Sequence, residues 1–175
     1  MIVVSNSGPL MALAKLGLLE LLPRMYGQVW LPTAVVTEVV VRGGEQGYPD
    51  ALLVQMAIQR RHLMVTKASD AELPADIANL PLDAGEKETI HVALRDKADL
   101  VLLDDLKARD EARSRGLDIK GTLGIILQAH RAGLLPLEEV QTIVGVIIAR
   151  DDIWIAEGLC REVLARLKEQ QREEG

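Results

Sequence analysis

A chain of 175 residues suffices for one domain with a single core, burying roughly 70% of its unfolded surface without help from a disulfide or structural metal. Its 49% hydrophobic and 26% charged content argues against both a disordered chain and a membrane protein. A net charge of −6 and a pI near 5.1 argue against a protein that coats nucleic acid through its overall field, so any such contact has to be local.

In chain order, short β-branched runs alternate with amphipathic stretches, the pattern of a parallel sheet covered by helices. Strands are predicted at residues 2–5, 28–31, 62–66 and 99–103, with a weaker one at 118–120. Helices are predicted between them at 9–15, 18–25, 51–60, 84–95 and 106–115, and beyond Gly121 at 123–132, 137–150 and 154–168. The polar tail 169–175 is expected to fray. Segment 33–42 holds five valines and reads equally as strand by propensity or as helix by the spacing of Val35, Val36, Val39 and Val40. If it is a helix, Pro32 and Thr33 open it and Gly43-Gly44 close it.

The longest apolar stretch, around Val144 to Ala149, falls far short of the roughly 20 residues a bilayer requires. The start Met1-Ile2-Val3-Val4-Ser5-Asn6 lacks a basic region, and a turn signal at Ser7-Gly8-Pro9 interrupts it, so no export signal is expected. Cys160 is the single cysteine and forms no internal disulfide or zinc set. A cytoplasmic location is the expectation. With only Tyr26, Trp30, Tyr48 and Trp154 as aromatics, an extended base-stacking platform is hard to build, and phosphates are the better handle.

Ligands of an open α/β sheet collect beyond the carboxyl ends of its strands. There the first strand ends at Ser5-Asn6-Ser7 and the run Leu100 to Leu103 ends at Asp104-Asp105; Glu86 opens a helix, and Glu38 lies in the ambiguous valine segment. Two or three carboxylates around an open face suit Mg²⁺, which takes oxygen ligands and keeps several waters, and such an ion activates water for in-line displacement at phosphorus. Each residue has a plainer reading. Asp83 and Glu86 have capping-box spacing, Asp104 or Asp105 can cap the next helix, Glu38 can be a solvated helix residue, and Asn6 or Ser7 can cap ahead of Pro9. Thr122 likewise reads as a helix cap.

Taken together, Val3 to Leu10, Leu31 to Val39, Leu82-Asp83-Ala84-Gly85-Glu86-Lys87-Glu88, Leu102-Leu103-Asp104-Asp105, Lys107-Ala108-Arg109 and Gly121-Thr122-Leu123-Gly124 make the chain resemble the PIN-domain family, within it the prokaryotic PIN-like proteins related to VapC-type toxins. The resemblance covers nearly the whole chain and implies helix at 33–42. It implies a three-layer α/β/α fold with a central parallel sheet of four to five strands, a PIN-like nuclease domain at 1–135, and a C-terminal helical extension, 136–175, packed on it. It further implies that Asn6, Glu38, Glu86 and Asp104 form the metal-binding quartet of an Mg²⁺- or Mn²⁺-dependent ribonuclease, with Asp105 sharing or replacing the role of Asp104. Asn6 stands where most active members carry Asp, which weakens metal affinity and makes a catalytically weak or inactive binding module the alternative. Similar proteins are often toxins held inactive by an antitoxin protein, and often dimers.

Lys107 and Arg109, one turn beyond the acids, are candidates for RNA phosphate contact, with Thr122 near the same mouth. His62, His91 and His130 lack ligand spacing. GxSxG, GxxxxGK[ST] and DxDx[TV] signatures are all missing.

Overall fold

The computed structural model describes residues 1–66 and 73–173. Its elements in chain order are β1 (Val3–Ser5), α1 (Ser7–Lys15), α2 (Leu21–Tyr26), β2 (Val29–Leu31), α3 (Thr33–Val36), a π-helical stretch (Thr37–Arg42), α4 (Gly43–Glu45), α5 (Pro49–Gln59), β3 (Leu63–Val65) and α6 (Ala75–Ala78). They continue as α7 (Ala84–Arg95), β4 (Leu100–Leu102), α8 (Leu106–Ser114), β5 (Ile119–Lys120), α9 (Thr122–Arg131), α10 (Leu137–Ala149) and α11 (Glu157–Glu173). The backbone falls into two compact units, Met1–Thr122 and Leu123–Gly175.

All strand pairings in the first unit are parallel, in the order β3-β2-β1-β4-β5. Val4, Val101 and Leu103, fully buried, form one core cluster with Ile77 of α6, Ile90 and Ala93 of α7, and Ala108 and Ala112 of α8. Because side chains alternate across a sheet, the registers Val3↔Val29 and Ser5↔Leu102 put Val3, Val29, Leu31 and Leu102 on the opposite face, where they too are fully buried. Parallel strands buried on both faces read as unbroken apolar runs, as these do. The fold is a three-layer α/β/α sandwich. Its strand order reverses between β1 and β4, so the open crevice of such a sheet lies at their carboxyl ends.

The valine segment is helical, since Val35 and Val39, four residues apart, are 0% and 3% exposed, and burial of that stripe outweighs the strand propensity of valine. Its opening N–H at Ala34 is taken by Glu88 Oε2 of α7 at 2.5 Å. Gly43-Gly44 does not end it, contrary to the sequence expectation. The chain stays helical through Glu45, and the stop comes at Gly47, whose φ of +73° suits a residue without Cβ.

Two other expectations are corrected. Helix α2 starts at Leu21, not at residue 18, after a turn at Gly17 with φ +71°. The tail continues α11 to Glu173 instead of fraying from residue 169, while 174 and 175 lie outside the described residues. In the second unit α10 buries Val140, Val144 and Ile147 and packs with α11, where Cys160 is buried. No helix among the described residues is long and apolar enough to cross a membrane.

Candidate active site

Asn6 follows β1 in the N-cap position of α1, with extended backbone. Its N–H donates to the Leu102 carbonyl at 3.0 Å, which fixes it at the reversal point between β1 and β4. Its side chain makes no capping bond. Oδ1 is instead buried and has no hydrogen-bond partner among the described residues, a state that costs roughly 1–3 kcal/mol and so calls for an explanation.

That oxygen faces the start of α7. A Cβ placed on Gly85 would stand 3.2 Å from Asn6 Oδ1, 3.2 Å from Glu38 Oε2 and 3.4 Å from Asp83 Oδ1. Three side-chain oxygens, from distant parts of the chain, therefore surround one glycine. Glu38 reaches this point from the π-helical stretch, an irregularity often found at functional sites. A hydrogen bond from Ser7 and the charge of Arg42 steady its carboxylate.

Glu86 is buried and completes a full capping box: its N–H donates to Asp83 Oδ1 at 2.7 Å, and its Oε2 accepts from the Asp83 N–H at 3.0 Å. The capping reading of Glu86 thus holds alongside the site reading. Asp105, not Asp104, caps α8, accepting from the Ala108 N–H at 2.9 Å.

Asp104 has a different engagement. Its Oδ1 accepts from the Thr122 N–H at 2.7 Å and its Oδ2 from the Thr122 hydroxyl at 2.6 Å, so Thr122 grips an acid at the mouth of β4. Arg109 lies on the same side, with Nη1 beside Gly121 and a buried Nε that has no partner among the described residues. Asp104 is bound to Thr122, and the charge of Arg109 acts on it. Lys107 is exposed in the first turn of α8.

Burial pushes the Glu38 carboxyl above the ordinary range, and the charge of Asp83 pushes it further. Glu86 is raised in the same way, first by burial and then by Asp83, Asp105 and Glu38. Asp104 is raised by burial despite the hydrogen bonds from Thr122 and the charge of Arg109. Crowded acids of this kind favour a proton or a cation as company.

Among the described residues no group of three or more His, Cys, Asp and Glu side chains is placed to hold a metal ion. The arrangement at Gly85 is open, built from two carboxylates and an amide oxygen. Mg²⁺ suits such a site, since it retains waters and uses one or two carboxylates together with substrate phosphates. The unsatisfied Asn6 Oδ1 and the all-oxygen donor set fit a hard cation. The adjoining cleft, of about 520 Å³, is lined by Thr33, Thr37, Glu38, Arg42, Asp83 and Gly85.

The sequence reading took Asp83 as a cap only and did not single out Ser7, Arg42 or Gly85 as parts of the site. The capping oxygen of Asp83 also stands at Gly85, and a glycine directly before Glu86 was the available signal, because a small residue there leaves space for oxygens to converge. The expected result for Gly85→Ala is a protein that folds, since Ala gains roughly 1 kcal/mol over Gly in a helix against the tight contacts. If a cation binds at this point, the wild type melts higher in millimolar Mn²⁺ and Gly85→Ala does not. An equal rise in both proteins would place cation binding elsewhere.

A family described as PIN domain matches residues 2–169. No curated protein matches the sequence. Among solved structures, a PilT N-terminus domain protein from the hyperthermophilic archaeon Sulfolobus solfataricus is similar, with a TM-score of 0.53 at 18% identity over 74% of this chain and 93% of that one. At that identity the likeness speaks for the fold alone, and it agrees with the parallel sheet and its flanking helices. With a match over nearly its whole length, the chain belongs to the PIN-domain family, whose fold is nuclease-like.

Proposed function

We propose that the chain is a divalent-metal-dependent endoribonuclease, with Mg²⁺ or Mn²⁺ held by Glu38, Glu86 and the neutral Asn6, and with Asp104 as the further acid at the mouth of β4. The observation that carries this reading is the buried, unpartnered Asn6 Oδ1 standing beside Glu38 Oε2 at Gly85. When bound, the ion supplies Lewis-acid activation of water and of a phosphate oxygen. Asn6, Glu38 and Glu86 set the donors, with Asp83 beside them; Ser7 orients Glu38; Thr122 fixes Asp104; and Arg109, Lys107 and Arg42 supply positive charge for phosphates.

The test is cleavage of a labelled structured RNA with Mn²⁺. Metal-dependent cleavage by the wild type that disappears in Asp104→Asn supports the reading. Equal residual cleavage in both means contamination and counts against it. The same reading extends to a cytoplasmic toxin held by an antitoxin protein: expression of the wild type alone then arrests growth, and Glu86→Gln relieves the arrest.

Asn6 favours a second reading, a weak or inactive module of the same fold that binds nucleic acid or a protein partner. An amide oxygen brings no charge, so metal affinity is lower than with Asp. Asn6→Asp is expected to tighten Mn²⁺ binding by calorimetry; equal or weaker binding would remove Asn6 from the ligand set.

A further inference from the structure

Glu38 and Arg42 also border a second hollow of about 210 Å³, whose other lining includes Met11, Gln46, Tyr48 and Asp50. It is smaller than the roughly 300–1,000 Å³ of sites for drug-sized ligands, which suits one flat heterocycle better than a whole nucleotide. Asp50 stands in the first turn of α5 and is 7% exposed. It belongs to the lining of the hollow, and no hydrogen bond or ion pair to its carboxylate is seen among the described residues. The helix start makes a negative charge tolerable there, but it leaves two acceptor oxygens on the wall of the hollow without a donor. Tyr48, directly before α5, is 50% exposed and offers a ring for stacking.

A carboxylate has two coplanar acceptors and no donor. Among the RNA bases only guanine presents two adjacent donors on one edge, N1–H and the N2 amine. Adenine and cytosine each place a bare ring nitrogen beside their amine, which a carboxylate oxygen repels, and uracil flanks its single N–H with carbonyls. Single-stranded RNA is commonly read this way, through unstacked bases lying on an aromatic ring and bonded along the Watson–Crick edge.

We infer that this hollow is a base subsite selective for guanine, in which Asp50 accepts N1–H and N2–H, Tyr48 stacks on the ring, and the neighbouring phosphodiester is led toward Glu38. The placement of cleavage beside a guanosine rests on the ribonuclease reading; recognition of the base does not.

Calorimetry on the full chain with the monophosphates of guanosine, adenosine, cytidine and uridine, in chelator so that no metal contributes, separates the two. The guanosine nucleotide binds at least about tenfold tighter than the others. Asp50→Asn erases that preference, and Tyr48→Ala weakens binding on the order of tenfold. Equal affinity for all four nucleotides, or undiminished guanine preference in Asp50→Asn, overturns the inference. Should Asp50→Asn fail to fold by its melting curve, the wild-type ranking and the half-exposed Tyr48→Ala decide the matter. Guanine preference without RNA cleavage sinks the ribonuclease reading and leaves the subsite standing; cleavage without guanine preference does the reverse.

Discussion

On the ribonuclease reading, Glu86→Gln is expected to lower Mn²⁺-dependent RNA cleavage by at least about 100-fold, because loss of a proposed direct carboxylate ligand exceeds the roughly 10–100-fold cost of altering an outer partner. The substitution is nearly isosteric, and the amide oxygen still accepts from the Asp83 N–H, so the capping box of α7 survives. In metal-free protein the variant melts higher than the wild type. Its physical basis is the raised position of Glu86: a carboxyl whose folded pKa lies above the unfolded one is disfavoured as an anion in the folded state, and removing the charge at neutral pH relieves that penalty. Glu38→Gln behaves likewise, as burial and Asp83 act on it in the same sense. Activity and stability thus move in opposite directions, the usual mark of residues kept for chemistry. Wild-type cleavage rates in either variant would remove these acids from the mechanism.

Gly121→Ala is expected to cost about 1–3 kcal/mol of stability, in the range of overpacked sites. Its new Cβ would fall 2.7 Å from Asp104 Oδ1 and 3.3 Å from the Leu103 carbonyl, and no rotamer of a methyl group relieves that. The displaced oxygen is the one that accepts from the Thr122 N–H, so a charged hydrogen bond is lost with it. Urea unfolding with an unchanged m-value measures the loss, and RNA cleavage falls in parallel. A shift within about 0.5 kcal/mol, ordinary for a neutral surface change, would mean that Asp104 is not pinned as described. Gly121 and Gly85 both accommodate side-chain oxygens, but the close approach at Gly121 includes backbone, so its substitution is the costlier of the two.

Much of the candidate site was legible because each acid follows a strong local signal. Asp104 and Asp105 come at the end of an apolar run, Glu86 sits three residues after a capping Asp, and Asn6 ends the first strand. What could not be read was which neighbouring acid takes which task. Asp104 and Asp105 are equivalent as text, yet Asp105 turns its oxygen to the Ala108 N–H while Asp104 reaches Thr122, eighteen residues away. Glu38 looked like a solvated helix residue, and the π-helical turn together with Ser7 brings it inward.

The alternation of strands and helices, the parallel sheet and the segments that carry the candidate oxygens follow from side-chain periodicity and helix caps, which are local properties of a chain. Packing across the fold set the rest: the valine segment is helical through Gly43-Gly44, Asp83 Oδ1 stands at Gly85 while it caps α7, and Asn6 Oδ1, beside Glu38, has no hydrogen-bond partner among the described residues. Those outcomes depend on what each side chain meets across the fold, where burial and like charge outweigh local preference.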